Sequence, residues 1–350
     1  MQKQIIRIKI LISMALINSK VITVFTINIL ITKFFFGQND SDSLKTRKWT
    51  NHFQLTIISQ IHSGFRSLYS GANSLADSVE HVATSITSTL FLGRKLWKGA
   101  AFYFDPEISG GNGLSFTKGV AGALNGETYR VGNVAPEPFI ARAYLQQLIP
   151  IGHTTYIKAG DDVNQVSDKV PENRITISVG KFAISDFFDD NSYSKDPRTQ
   201  FFNWSIWANG AWDYPANTRG YTYGMVTELI KRAWAIRLSS VAVPGIANFH
   251  LMEYIIPGAH SETIEFAHQL LIHKRQGSLR FTVSNTYSRA PSYIEGLKAI
   301  ATNDSFLLNV ISGNAKNDSY GGKKFGLGFN AEQEVAKDIG LFCRLGWNDG

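Results

Sequence analysis

From residue 49 onward, apolar and polar side chains alternate along the chain. In GSLRFTVSNTY, Leu279, Phe281 and Val283 are interleaved with Arg280, Thr282 and Ser284; in SETIEFAHQLL, Ile264, Phe266 and Leu270 stand opposite Thr263, Glu265 and Gln269. A period of two places each set on its own face of a β-strand. The same reading holds for WTNHFQLTIISQIH, with Trp49, Phe53, Leu55 and Ile57 against His52, Gln54, Gln60 and His62. It holds for GYTYGMVTEL, with Tyr221, Tyr223, Met225 and Leu229 opposite Thr222 and Glu228, and for RAWAIRLSS, with Trp234, Ile236 and Leu238 opposite Arg237. KKFGLGFNAEQEV sets Phe325, Leu327, Phe329 and Val335 against Lys324, Asn330, Glu332 and Glu334, and IGLFCRLGWND sets Leu341, Cys343, Leu345 and Trp347 against Arg344 and Asn348. Weaker alternation over residues 85–96, 99–108, 138–150, 174–185 and 200–213 brings the expectation to about twelve strands. Residues 174–185 require a bulge near Gly180, because Ile175, Ile177 and Val179 differ in parity from Phe182 and Ile184. Runs such as SGGNGLS, DYPANTRGY and AKNDSYGGKK read as loops between strands, and only residues 74–82 and SYIEGLKAI suggest short helices.

The length of the strands and the nature of their polar face decide which solvent the apolar face meets. Ordinary strands run to about five or six residues, whereas these approach the ~9–11 that cross a bilayer at a tilt. The polar face carries charges in mid-strand: Arg237, Glu265, Arg280, Glu332 and Arg344. A charge facing lipid at the midplane costs about 2–4 kcal/mol, and an unpaired one in a dry core costs as much or more. A water-filled interior accommodates them, and strands in lipid satisfy their backbone groups only in a closed barrel.

Composition agrees, with 18% charged residues where a soluble protein carries about 25%. The net charge of +7 is concentrated at the start: Lys3, Arg7, Lys9, Lys20 and Lys33 all precede the first acid, Asp40. No basic stripe remains for nucleic acid, so none is expected as a partner. Residues 1–37, basic and then apolar, read as an export leader cleaved near Gly37, with Met14 as an alternative start. Residues 38–350 then form the barrel. One cysteine, Cys343, excludes a disulfide framework.

Several strings in order, GKFAISDFFDDNSYSKDPRTQFFNWS, GAWDYPANTRGYTYG, FYFDPEISGGNGLS followed by GVAGALNGETYRVGN, and AHSETIE, resemble the carbohydrate-selective outer-membrane porins of the OprB type, from Trp49 to Asp349. The resemblance implies an all-β fold: an antiparallel transmembrane barrel of about sixteen strands in the full protein, in the bacterial outer membrane. It implies passive diffusion of mono- or oligosaccharides, contact with outer-membrane lipid, no catalysis and no cofactor; a homo-oligomer is left open. The chain stops at Gly350 without a closing aromatic strand, and the expectation is a barrel lacking its last strands. The alternative is a secreted or periplasmic all-β carbohydrate-binding protein or glycoside-active enzyme.

A permeation site for sugars needs carboxylates, amides and guanidinium groups for the hydroxyls and aromatic plates for the ring faces, none binding too tightly. On the expected strand 200–213, Phe202, Trp204, Ile206, Ala208 and Trp212 take one side, and Asn203, Ser205, Trp207, Asn209 and Asp213 the lumen side, with Trp207 placed to stack on a sugar. The preceding loop supplies Asp186, Asp189, Asp190, Asn191, Tyr193, Asp196 and Arg198 and is expected to fold toward the pore, while Arg142, Arg237, Glu265, Arg280, Glu332 and Arg344 complete the lumen candidates. For the loop residues the alternative is strand capping and bracing by Asp–Arg pairing, for each lumen charge taken singly it is a solvated pore-wall charge, and for Glu107, Asn125, Glu127 and Arg130 it is loop structure. Metal binding is not expected. DDNSYSKDPR lacks the alternation, glycine and final glutamate of a calcium loop, and the pairs His52/His62 and His260/His268 are too widely spaced to chelate. Sequence-local aspartates do not define the facing carboxylates of a glycosidase.

Overall fold

A computed structural model of the chain describes residues 8–15, 24–32, 47–128, 133–245, 249–254, 256–289, 292–312, 314–315 and 322–349; Arg130 lies outside them. The strands are β1 Ile8–Ala15, β2 Val24–Thr32, β3 Trp49–His62, β4 Glu80–Lys95, β5 Ala100–Gly111, β6 Glu137–Pro150, β7 Tyr156–Ala159, β8 Asp168–Pro171, β9 Arg174–Phe182, β10 Thr222–Ile230, β11 Trp234–Ala242, β12 His260–Ile272, β13 Arg275–Ser288, β14 Gly322–Ala336 and β15 Ile339–Asn348. The helices are α1 Trp204–Trp207, α2 Tyr293–Thr302 and α3 Ser305–Ile311. No helix among the described residues is long and apolar enough to cross a membrane. Sheet order follows chain order, with only the β7–β8 pair set apart. Pairing is antiparallel from β1 to β5 and from β9 to β15. Strands β1 and β2 fall in the segment read as a leader.

The chain divides into two compact units: residues 1–143, 158–169 and 196–207, and residues 144–157, 170–195 and 208–350. Each has the same distribution of polarity, opposite to that of a soluble protein. In the first, Thr50, Thr56, Gln60, Ser85, Thr87, Thr89, Asp105, Glu107 and Ser109 are buried, while Ile86, Leu90, Phe102 and Ile108 are exposed. In the second, Thr176, Ser178, Ser261, Thr263, Glu265, Arg280 and Thr282 are buried, while Ile264, Phe266, Phe281, Leu327, Leu345 and Trp347 are exposed. Successive residues of β12 show the inversion most sharply: Thr263 is 0% exposed, Ile264 51%, Glu265 0% and Phe266 43%. A contiguous apolar exterior of this kind meets a non-aqueous solvent, and the alternation read from the sequence is the pleat that produces it.

The connections alternate in length within each unit. In the first, 63–79 is followed by 96–99 and then 112–136; in the second, 231–233, 243–259, 273–274, 289–321 and 337–338 take turns as short and long. Outer-membrane barrels show this asymmetry, with short periplasmic turns and longer extracellular loops.

Three local expectations are corrected. Residues 200–213 are not a strand: the side-chain oxygen of Asn203 accepts from the Ser205 backbone N–H at 2.9 Å and hydroxyl at 2.6 Å, an Asx cap that turns the chain into α1. The bulge at Gly180 is absent, since β9 runs in unbroken register against β10 from Arg174 to Phe182. The parity change is instead real, with Phe182 on the inward side and fully buried. Residues 74–79 are loop and not helix, because the Ser74 hydroxyl bonds back to the Gly71 carbonyl at 3.0 Å and β4 begins at Glu80.

If the outward rows face acyl chains, Phe281→Arg should lower folding stability in lipid vesicles by about 2–4 kcal/mol. Ser239→Ala, which removes an inward hydroxyl without a hydrogen-bond partner among the described residues, should change it by less than about 0.5 kcal/mol. Urea unfolding monitored by Trp fluorescence measures both.

Candidate functional site

Loop 183–221 carries most of the candidate residues, and its anchorage in the second unit starts at Asp189. There the Asp189 backbone N–H donates to Glu265 Oε2 at 2.7 Å, and its carboxylate receives Arg344 Nε at 2.9 Å, Asn330 Nδ2 at 2.6 Å and the Asn209 N–H at 2.9 Å. Arg344 also donates to the carbonyls of Asp189 at 3.0 Å and Ser194 at 2.7 Å. Ser192 donates its hydroxyl to Glu332 at 3.2 Å, and Glu332 pairs with Arg280 at 3.2 Å. The loop is therefore fastened to charges that β12, β13, β14 and β15 project inward.

Glu265, fully buried, also receives Arg237 at 2.8 Å and the Thr282 hydroxyl at 3.2 Å, and Arg237 reaches Glu228 at 2.9 Å. These inward pairs sit on adjacent strands in direct register: Glu228 faces Arg237 and Arg237 faces Glu265, so cross-strand geometry alone brings opposite charges together. Glycine makes room for the loop above. A Cβ on Gly346 would lie 2.2 Å from Asn209 Oδ1, and one on Gly340 would lie 2.0 Å from the Tyr193 ring.

Asp190 differs from Asp189. Its side chain is 43% exposed and pairs with Lys195 at 2.8 Å and Arg280 at 3.6 Å. Burial pushes its carboxyl upward, but Lys195, Arg280 and Arg237 together hold it below the usual carboxylate range.

In the first unit the anchor is Arg198. Its guanidinium reaches Glu127 Oε1 at 2.7 Å, Glu107 Oε2 at 3.3 Å, Gln54 Oε1 at 3.2 Å and Thr89 Oγ1 at 3.2 Å. Asp196 shapes the approach, accepting the Arg198 N–H at 3.0 Å and the Thr199 hydroxyl at 2.8 Å. Glu127 is presented by a turn in which Asn125 Oδ1 accepts its N–H at 3.1 Å, while Asn125 Nδ2 donates to Gln60 at 3.1 Å. Arg142 pairs with the buried Asp105 at 3.4 Å.

The structure thus draws Asp189, Asp190, Asn209, Arg237, Glu265 and Arg280 into the second unit's cluster and Arg142, Asp196 and Arg198 into the first. Asp186 is a half-buried turn residue whose N–H closes on the Ala183 carbonyl at 3.0 Å. Asn203 caps α1. Trp207 is 4% exposed and covers Gly126, where a Cβ would meet its indole nitrogen at 2.2 Å; in this state its ring faces have no room for a sugar. Asp213 is exposed and paired with Lys324. Sequence reasoning missed Asp105, Thr89 and Gln54, whose only signal was inward parity, and left the Glu107 and Glu127 roles undecided. Among the described residues, no three His, Cys, Asp or Glu side chains group to hold a metal ion.

Because breaking a buried ion pair costs about 3–5 kcal/mol, Asp189→Ala should detach the loop locally. The expected outcome is much faster tryptic cleavage at Lys195 in the folded protein, with the strand content by circular dichroism unchanged.

The sequence model of the family described as "Carbohydrate-selective porin, OprB family" matches residues 81–350. A solved structure titled "High pH structure of Pseudomonas putida OprB" superposes with a TM-score of 0.55 at 13% identity, covering 86% of this chain and 67% of that one. No curated protein matches the chain.

Proposed function

The chain belongs to the OprB family of carbohydrate-selective porins, and on that premise we propose that loop 183–221 narrows its channel into a sugar filter. The protein is an outer-membrane porin that passes carbohydrates, of a family of channels, which sets aside the soluble carbohydrate-binding reading. The observation that carries the filter is the division of the loop's polar groups between buried and open. Asp189, Asn209 and Arg198 are at most 6% exposed and have their partners in place, so they position the loop. Asp190, Lys195 and Ser192 are half-open beside Arg280 and Glu332, so they are the groups that exchange hydrogen bonds with sugar hydroxyls. Such contacts are individually weak in water, which a permeating solute requires if it is to leave again.

Arg237, Glu228 and Glu265 hold the wall as a neutralising ladder and keep its donors and acceptors fixed. Arg142 does the same for Asp105. Asp186, Asp196 and Asn203 shape the loop, Trp207 packs it, and Asp213 marks its exit toward β14. The outward rows take acyl chains, and any association of copies would use the same exterior, with cross-linking in native membranes as the measure of stoichiometry. Residues 1–37 are removed on export, so that β1 and β2 belong to the unprocessed chain and residues 38–350 form the barrel. A mature N-terminus near Gln38, read by mass spectrometry of the membrane-inserted protein, is the expected result.

The filter is tested in planar bilayers at pH 8. Arg198→Ala leaves the carboxylates of Glu107 and Glu127 without their guanidinium, so cation selectivity read from the reversal potential should rise by roughly two- to tenfold at low salt. Liposome swelling should show the parent protein favouring glucose over a neutral polyol of equal size, and Asp190→Ala should reduce that preference.

A further inference from the structure

The part of loop 183–221 that belongs to the second unit carries six aromatic residues: Phe187, Phe188, Tyr193, Trp212, Tyr214 and Tyr221. Five of them are used up by packing. Phe187 meets Tyr144 and Phe182 edge-on, with centroids 6.3 Å and 5.1 Å away, Phe188 packs on Trp212 at 5.9 Å, and Trp212 packs on Tyr214 at 5.7 Å. Tyr221 is fully buried. Tyr193 alone is half-buried with no ring against it, and its hydroxyl has no hydrogen-bond partner among the described residues.

The backbone that carries this open ring is nevertheless fixed on both sides. Ser192 donates its N–H to Glu332, and Arg344 donates to the Ser194 carbonyl at 2.7 Å and hydroxyl at 3.2 Å. Asn191 Oδ1 accepts the N–H groups of Tyr193 at 3.0 Å and Ser194 at 3.2 Å, while Asn191 Nδ2 donates to Asn330 Oδ1 at 2.8 Å. The hydroxyl end of the Tyr193 ring lies over Gly340, where a Cβ would come within 2.0 Å of Cζ and 2.4 Å of Oη. Gly340 is two inward positions beyond Arg344 toward the short turn 337–338, and it faces Glu334 across the β14–β15 pair. The Glu334 side chain is 40% exposed beside Arg275. The loop thus runs down the inner wall from Asp189, level with Arg344, to Tyr193.

A tyrosine offers an apolar ring and a polar tip, and one held by its neighbours pays little to be ordered again when a solute arrives. A pyranose presents C–H groups on its ring faces and hydroxyls around its edge. We propose that Tyr193 is the aromatic plate of the filter and makes the channel favour cyclic sugars over open-chain polyols, with Asp190, Ser192, Lys195 and Glu334 taking the hydroxyls around it. It fills the place expected of Trp207, whose ring is enclosed. An open-chain polyol carries the same hydroxyls but no rigid C–H face, so the ring separates the two where hydrogen bonds do not. The proposal rests on the sugar-filter reading of loop 183–221.

The test is ion-current block of the full-length protein in planar bilayers by glucose and by sorbitol, an open-chain hexitol of nearly the same size. Tyr193→Leu should weaken glucose block about two- to tenfold, the factor expected for one lost aromatic contact, and leave sorbitol block as in the parent. Tyr193→Phe, which keeps the ring, should stay close to the parent with both solutes. Should Tyr193→Leu not reach the membrane, Tyr193→Gln carries the same expectation, since it retains a polar tip and loses the plate. Parental glucose block in the Leu or Gln variant would overturn the proposal. So would an equal weakening with glucose and sorbitol, which marks a widened pore, or a loss in Tyr193→Phe as large as in Tyr193→Leu, which assigns the effect to the hydroxyl. A parent channel that glucose blocks no better than sorbitol would instead overturn the sugar-filter reading beneath it.

Discussion

A buried carboxylate on a membrane-spanning strand has to find positive charge or hydrogen-bond donors within the protein, and Glu265 shows how this chain meets that constraint. It is fully enclosed, yet it receives the Arg237 guanidinium, the Thr282 hydroxyl and the Asp189 backbone N–H. Two of those partners come from strands paired with β12, and the third comes from a loop distant in sequence. Lipid outside forces the polar face inward, the inward face concentrates charge, and that charge recruits the loop. Without the inverted polarity there would be nothing for residues 189–194 to fasten to.

The loop is matched to the wall it covers. Arg344, Asn330 and Glu332 present donors and acceptors at the spacing of the pleat, and Gly346 and Gly340 supply the space that Asn209 and Tyr193 occupy. The cluster around Arg198 uses the same chemistry in the other unit, with a single guanidinium shared between Glu107 and Glu127. Buried ion pairs contribute little net stability compared with apolar packing, but losing one partner is expensive. The arrangement therefore favours one loop conformation over others more than it stabilises the fold, which is what a channel that selects by shape requires.

Family membership and the geometry of the chain bear on different levels. The family match identifies a carbohydrate porin, and the structural likeness at 13% identity speaks only to the fold. The proposed distinction between residues that position the loop and residues that exchange hydrogen bonds with sugar rests on burial and hydrogen bonding in this chain alone.

Alternation was enough to read the strands from Trp49 to His62 and from Arg275 to Asn348, since a half-exposed strand is obliged to have period two whichever solvent it meets. Mid-strand charges such as Arg280 and Arg344 were enough to infer which face is wet. The run 200–213 misled because its aromatic alternation also fits a compact loop, and the Asn203 cap that chose between them acts over two residues, below the range of any periodicity. The partners of Asp189 and Arg198 lie in strands far along the chain, and only the folded register brings them within hydrogen-bonding distance. The sequence by itself determined most of the strands and which of their faces is polar, because those depend on local side-chain pattern and transfer free energy. Which inward charges meet, and which loop residues are buried as anchors or left open to solvent, was decided only by the tertiary structure, because it depends on distances between segments that no local pattern encodes.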